Sequence, residues 1–574
     1  MKKIATIILF GIIYSAHLSS QVPVYLWAKK IGNSHDEEVH SCVVDNSNNM
    51  IIMGVYNGTV DFDPGSGTYN LTSVDGSHDF FILKLDQNGN FIWAKSIGGP
   101  GNESSSGYMA CDNAGNILAT GFFRDTVDFD PGTGSYELIP TGSSDIFVLK
   151  LSPSGNFAWA KQMGTTDYNY GNAITTDDAG NVISTGWFYD TVDFDPGPGV
   201  YKLFAHGHIS PDCYIQKLNP SGNFLWAKSF GNTSSEVSNS IKVDSLGNIY
   251  TAGSFRSTVD FDPDTGIFNM SSIGSTADIF IQKLSPSGNF IWARKFGGTM
   301  NENAESIFID DFGGVYTTGE FEGTTDFDPG PNTFNLTSIF PSSDVFISKL
   351  NLNGDFVWAK KIGGSDMERG YSISVDPNGL VYSTGYFQGT VDFDPDTSVF
   401  NLTSNGSNAD VYVYRLDSSG QNFTANQMGS TDFDVGESIA NDSYGNVYIT
   451  GRFELTVDFD PGPGTHNLSA TSYSEDIFIC KWGYLSVHIP DLFNSDNIFL
   501  FPNPSSGEVH VNLNNRYDKL FVEMINITGQ QVYKEQFTDC NDIRFNVDLP
   551  KGIYYISLSN NTCHLGAFKI VMTD

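Results

Sequence analysis

Val60-Asp61-Phe62-Asp63-Pro64-Gly65 decides how this chain is built, because its centre returns six more times. Asp-Phe-Asp-Pro begins at Asp61, Asp128, Asp193, Asp260, Asp326, Asp392 and Asp458, in steps of 67, 65, 67, 66, 66 and 66 residues. Two other markers keep the same step. Trp-Ala-Lys or Trp-Ala-Arg begins at Trp27, Trp93, Trp159, Trp226, Trp292 and Trp358, and the expected seventh copy has decayed to Thr424-Ala425-Asn426. Asp-x-[Phe/Tyr]-x-x-[Lys/Arg]-[Leu/Trp] begins at Asp79, Asp145, Asp212, Asp278, Asp344, Asp410 and Asp476. Length alone would suggest about four domains. A regular internal period instead marks one repeat architecture.

The fifth unit shows what each repeat predicts. Ala304–Asp310 reads as a strand, Asp311-Phe312-Gly313-Gly314 as a tight turn and Val315–Phe321 as a second strand. The Asp-Phe-Asp-Pro insert follows. Asp344–Leu350 then makes a third strand, 351–355 a turn, and Phe356–Ile362 a fourth. Period-2 alternation and β-branched or aromatic content support strands, and no segment holds a 3.6-residue period. Four antiparallel strands repeated seven times describe a β-propeller. The array begins at Val24–Ile31, a fourth strand without its first three, and ends at Asp476–Trp482, a third without its fourth. Pairing the two closes the ring and removes two open sheet edges. The expected fold is all-β: a seven-bladed propeller over 21–482, closed by its N-terminal strand.

Asp-x-x-Gly-Asn, Thr-Gly-x-Phe, Asp-[Val/Ile]-Phe-x-x-Lys-Leu and Trp-Ala-Lys run in that order through the units. In this they resemble the bacterial SBBP-type β-propeller repeat, over about residues 24–482. The Asp-Phe-Asp-Pro insert lies outside the usual pattern.

Both ends of the chain differ from the repeats. Met1-Lys2-Lys3, an apolar run from Ile4 to Tyr14 and small or polar residues to Ser20 read as a secretory signal over 1–20. The run is too short to span a bilayer as an anchor, and no longer apolar run follows. Residues 483–496 read as a linker. Several short strand-like runs over 497–574 then predict a small, Ig-like β-sandwich. Phe501-Pro502-Asn503-Pro504 with Gly507, Ile527-Thr528-Gly529-Gln530, Leu549-Pro550-Lys551-Gly552-Ile553-Tyr554-Tyr555 and Lys569-Ile570-Val571 fall in this stretch. It resembles the type A C-terminal sorting domain of the type IX secretion system. The resemblance implies passage through the periplasm and recognition by that machinery. It also implies release from, or display on, the outer-membrane surface of a Gram-negative bacterium.

Composition narrows the partners. The 574 residues carry 30 Lys and Arg against 66 Asp and Glu, a formal charge of −36. A phosphate backbone or an anionic membrane needs a basic surface, so nucleic acid is excluded as the expected partner. Six cysteines are too few for a disulfide-built scaffold of this size.

The insert offers the main candidate site. Carboxylates two residues apart on a strand share one face. The pairs are Asp61 and Asp63, Asp128 and Asp130, Asp193 and Asp195, Asp260 and Asp262, Asp326 and Asp328, Asp392 and Asp394, and Asp458 and Asp460. Oxygen-rich and repeated, they suit Ca²⁺, but their spacing is not that of the known calcium loops. The other reading is a turn in which each Asp caps its own backbone before a Pro-Gly reversal. The loops between blades add Asp36, Glu37, Glu38, Glu103, Glu236, Glu302, Asp366 and Glu368, so one face is expected to be strongly negative. His206-Gly207-His208 places two imidazoles in a single repeat. The six Trp and the recurring third-strand Asp and Lys read as blade packing. There is no nucleophile elbow, phosphate loop or zinc-protease motif. The expected function is non-catalytic binding of a glycan or protein through the acidic face. The alternative is an extracellular polysaccharide hydrolase or lyase with acids meeting in the channel.

Overall fold

The computed structural model describes residues 23–101, 108–207, 210–339, 342–396, 398–471, 474–484, 498–501, 505–526, 531–560 and 564–572. The expected signal segment, most of the expected linker, Glu103 and His208 lie outside them. The chain divides into two compact units, one ending at Tyr484 and the other starting at Leu485. The last strand of the first unit, Asp476–Tyr484, runs two residues into the expected linker.

The first unit is all-β, a propeller-type repeat fold. Its described residues form seven large antiparallel sheets, each built on four strands. In the fifth repeat these are Glu302–Ile309, Gly314–Phe321, Asp344–Asn351 and Phe356–Gly364, close to the expected spans. Pro23–Ile31 pairs antiparallel with Asp476–Tyr484, placing Ala28 opposite Cys480 and Ile31 opposite Ile477. It thereby completes the sheet containing Val447–Phe453 and Val435–Asn441.

Neighbouring sheets are tied through their first strands. The Met109 amide donates to Ser41 Oγ at 3.0 Å, Ile307 to Ser240 at 3.2 Å, and Ile439 to Ser372 at 3.2 Å. The same bond joins the first and last repeats, from the Cys42 amide to Ser438 Oγ at 3.0 Å. The Trp marker works on the outer side. Its indole donates to a turn carbonyl in the following repeat, as Trp93 to Pro153 at 3.3 Å and Trp292 to Leu352 at 3.1 Å. Trp27, on the N-terminal strand, donates in the same way to Gln87 of the first repeat at 3.2 Å.

Third-strand lysines bridge to the first-turn aspartates, as in Lys84–Asp45 at 2.8 Å and Lys150–Asp112 at 2.9 Å. The Trp and Lys readings as blade packing therefore hold. One element escaped the sequence reading. Each insert carries its own small hairpin, such as Thr324–Asp326 against Asn335–Thr337. Val60 and Phe62 turn inward, and Phe62 packs edge-on to Tyr56 and at 4.8 Å from Phe81.

The second unit differs from the expected run of short strands. Its described residues form one five-stranded sheet. Two strands are long, Glu508–Asn526 and Gln531–Asn546, and their pairing shifts between Asn512 and Tyr517. One end of Glu508–Asn526 pairs with Ile498–Phe501 and the other with Gly552–Ser559. Residues 514–519 and 538–542, read as gaps between short strands, lie inside continuous strands instead. Val511, Val522, Ile556 and Ile570 fill its core.

Candidate functional site

The Asp-Phe-Asp-Pro pairs are occupied by their own turns. Asp61 Oδ1 accepts from the amides of Asp63 at 3.1 Å and Tyr69 at 2.7 Å, and Asp63 Oδ1 accepts from Gly65 at 2.8 Å. The bonds to the first carboxylate recur at Asp128, Asp193, Asp260, Asp326, Asp392 and Asp458. The second carboxylates, Asp130, Asp195, Asp262, Asp328, Asp394 and Asp460, likewise accept from the amide two residues on. Among the described residues, no three His, Cys, Asp or Glu side chains lie close enough together to hold a metal ion. The arrangement is that of a capped reversal. His206 Nδ1 meets Asp212 Oδ2 at 2.6 Å, also within its own repeat.

The between-repeat acids are not a negative rim. Glu37 and Glu236 are 0% exposed, Glu302 1% and Glu368 0%. Each folds back into the structure. Glu37 accepts from the Asn33 amide and Glu236 from the Asn232 amide, both at 2.9 Å, and Glu302 accepts from Thr325 Oγ1 at 2.8 Å. Burial, reinforced by the third-strand aspartates Asp476, Asp278 and Asp344, pushes Glu37 up to about 8, Glu302 to about 8 and Glu368 to about 9. Burial and Asp212 bring Glu236 to about 7. Sequence reasoning missed this because an acid in a loop reads as solvated. The physical reason for the burial is that these side chains satisfy loop amides between two sheets, where water does not reach. Among the described acids named for this rim, only Asp36 and Asp366 are exposed, and Glu38 is half-buried.

The residues that differ between repeats lie elsewhere. At the start of six first strands among the described residues, one cross-strand pair precedes the pairing that carries a β-bulge, and the bulged residue follows it. The pairs are Glu38–Val55, Tyr170–Trp187, Val237–Ser254, Asn303–Glu320, Arg369–Tyr386 and Val435–Arg452. The bulged residues are His40, Asn172, Asn239, Glu305, Tyr371 and Glu437. Bulges re-aim side chains, and here they do so on the innermost strands, at one end of the central channel.

Two arginines organise this mouth. Arg369 lies 2.5 Å from Glu305 and 3.4 Å from Glu320, with its guanidinium 5.2 Å from the Tyr371 ring centre. Arg452 lies 2.9 Å from Glu475, 3.4 Å from Glu437 and 3.8 Å from Glu38. Burial opposes the charge of Arg369, but Glu305 and Glu320 outweigh it and hold the guanidinium protonated. Burial pushes Glu437 and Glu320 each up to about 7, against the pull of Arg452 and Arg369 respectively. His40 is driven down by burial, partly countered by Glu38. The Tyr108 phenol is raised by burial and then by the fields of Glu305, Glu437 and Tyr371. Groups from the first, second, fifth, sixth and seventh repeats therefore meet at one place.

The opposite side of the mouth is aromatic. Phe122 and Tyr170 have ring centres 4.0 Å apart, Trp187 stacks on Tyr170 at 4.1 Å, and Tyr189 meets Trp187 edge-on. Arg124 donates to the Tyr170 hydroxyl at 3.2 Å.

Comparison with known proteins bears first on the tail. Residues 499–572 match the secretion system C-terminal sorting domain. The tail is a type IX sorting domain. It directs the chain to the outside of the cell or to the outer-membrane surface, and no helix among the described residues is long and apolar enough to cross a membrane. Two curated proteins resemble the chain. An uncharacterized WD repeat-containing protein of Acanthamoeba polyphaga mimivirus is 26% identical over 75% of this chain and 36% of its own length. The regulatory protein FlaEY of Caulobacter vibrioides is 23% identical over 40% of this chain and 22% of its own. The aligned region thus spans little more than a third of the first relative and about a fifth of the second. Among solved structures, dimeric latent PorU from Porphyromonas gingivalis aligns over 53% of this chain and 32% of its own, with 11% identity and a TM-score of 0.12.

Proposed function

We propose that the chain is a secreted or surface-displayed binding protein, built as a closed ring of seven blades ahead of its sorting domain. A polar extracellular ligand, glycan or protein, docks at the channel mouth. Closure is supported by the pairing of Pro23–Ile31 with Asp476–Tyr484 and by the Ser438–Cys42 and Trp27–Gln87 bonds, which repeat the contacts made between other neighbours. One relative is named for WD repeats, which also build propellers.

A single observation carries the binding reading. Repeats that copy their packing residues diverge at the pair-and-bulge positions, where charged and aromatic side chains converge. The site is therefore the mouth, with Arg369, Arg452, Glu305 and Glu437 on one side and Tyr170 and Trp187 on the other, rather than the acidic loop face expected from sequence. Binding of the secreted chain to glycan and extracellular-protein arrays tests this. Arg369→Ala and Trp187→Ala are each expected to abolish the signal, and full retention in both removes the mouth as the site.

A second reading, hydrolysis or elimination on an extracellular polysaccharide, draws on Glu437. Its carboxyl is brought to about 7, close to Tyr108 as Glu305 is, and a carboxyl raised into that range suits the general acid of glycoside cleavage. Turnover of a polysaccharide panel that disappears in Glu437→Gln would favour it.

A further inference from the structure

Deeper along the channel lies a cavity of about 620 Å³ that touches the first strand of all seven sheets. Lys242, on Val237–Val243, is the one cationic side chain among the described residues lining it. The other repeats place Val43, Ala110, Thr175, Phe308, Ser374 and Ala440 at this register. No described residue gives the Lys242 ammonium a hydrogen bond or an ion pair, and burial alone lowers its pKa, with no carboxylate acting on it.

Four described acids line the same cavity; Asp311 is exposed, and the other three are engaged elsewhere. Asp310 accepts from the Gly314 amide at 2.6 Å and the Tyr316 hydroxyl at 2.8 Å, Asp376 from the Leu380 amide at 2.9 Å, and Asp442 pairs with Lys481 at 3.0 Å. The wall also carries a collar of hydroxyls. Ser41, Ser240, Ser306 and Ser372 each accept a backbone amide of the next repeat through Oγ. Their hydroxyl hydrogens have no acceptor among the described residues.

A lone ammonium with several unused donors, in a pocket where three of the four described carboxylates are already engaged, is a receptor for negative charge. We propose that Lys242 and the serine collar bind an oxyanion, a carboxylate, sulfate or phosphate group, inside the channel. Lys242 is half-buried; holding an unpaired charge partly out of water is costly, and a bound anion offsets that cost. Lysine presents a point charge rather than a planar fork, so the site selects charge and size more than shape. The inference is independent of the mouth and stands if mouth binding fails.

The obvious variant is expected to fold, because apolar side chains hold this register in four other repeats. Thermal unfolding of the mature chain would be followed in sulfate, phosphate or acetate against chloride at fixed ionic strength, for wild type, Lys242→Met and Lys242→Gln. A parallel arm uses a sulfated oligosaccharide and a uronic-acid oligosaccharide. Wild type should show a saturable rise of about 2–5 °C at roughly a hundredfold excess over Kd. Both variants should melt at or above the anion-free wild type and give no saturable response. A rise with inorganic ions identifies a free anion as the source, and a rise with the oligosaccharides alone identifies a glycan-borne group. An equal response in wild type and variants, or no saturable response in wild type to any probe, overturns the proposal.

Discussion

The Asp-Phe-Asp-Pro turns and the pair-and-bulge positions belong to the same seven repeats, yet they behave in opposite ways. The turns are copied almost letter for letter, and each engages its carboxylates with its own amides while burying its Phe. The pair-and-bulge positions carry glutamate, arginine, tyrosine, asparagine or valine in different repeats, and their side chains meet those of neighbouring repeats. Sameness in a repeat protein marks what every unit needs in order to fold. Difference marks what the assembled ring does once. A conspicuous acidic motif drew attention to the copied part, whereas the proposed binding site lies in the uncopied part.

The contrast can be broken by substitution. Phe62→Ala, in a buried copied position, should cost about 3–5 kcal/mol, read as a drop in melting temperature with no selective effect on ligand binding. Trp187→Ala, in an uncopied and partly exposed position, should change stability by no more than about 1 kcal/mol while removing binding. Reversal of the two outcomes would collapse the distinction.

A pH series sharpens it further. Glu37, Glu236, Glu302 and Glu368 titrate higher in the folded protein than the ordinary carboxylate value of 4.5. The folded state therefore holds protons that the unfolded chain has released. Their contribution is fully present below about pH 4.5 and is lost as pH rises toward 8 or 9. The melting temperature should fall across that window, and Glu368→Gln should flatten the fall and raise stability at pH 8. An unchanged slope in that variant contradicts the assignment. The smallest effect is expected from calcium. Because the insert carboxylates already accept amides, added Ca²⁺ or chelator should shift the melting temperature by less than about 1 °C, and a clear rise with Ca²⁺ would restore the ion-site reading.

Much of the fold was legible because its signals are local and repeated. Phe62, Trp93 and Asp79 announce their roles by recurring at one step, and the unmatched strands at Val24 and Asp476 announced each other. The mouth was hidden for the complementary reason. His40, Asn172, Glu305 and Tyr371 sit between markers, share no residue type, and align only once the bulge that displaces them is known. Comparing repeats for the positions that fail to match would have found them. The fate of Glu302 and Glu368 was hidden because whether a loop acid meets water or a neighbouring sheet depends on contacts made between units. In the tail, Asn514 and Cys540 looked like breaks because long bent strands tolerate polar and irregular residues where their partner changes.

Ring closure underlies every convergence described above, and one substitution tests it directly. Ala28 stands opposite Cys480 across the junction of the first and last repeats. In Ala28→Cys, oxidation should link the two thiols, and non-reducing peptide mapping of the folded chain should recover the N-terminal strand joined through its introduced cysteine to Cys480. Recovery of both as free thiols, or of the introduced cysteine joined to another partner, would contradict the closed ring and with it the shared mouth.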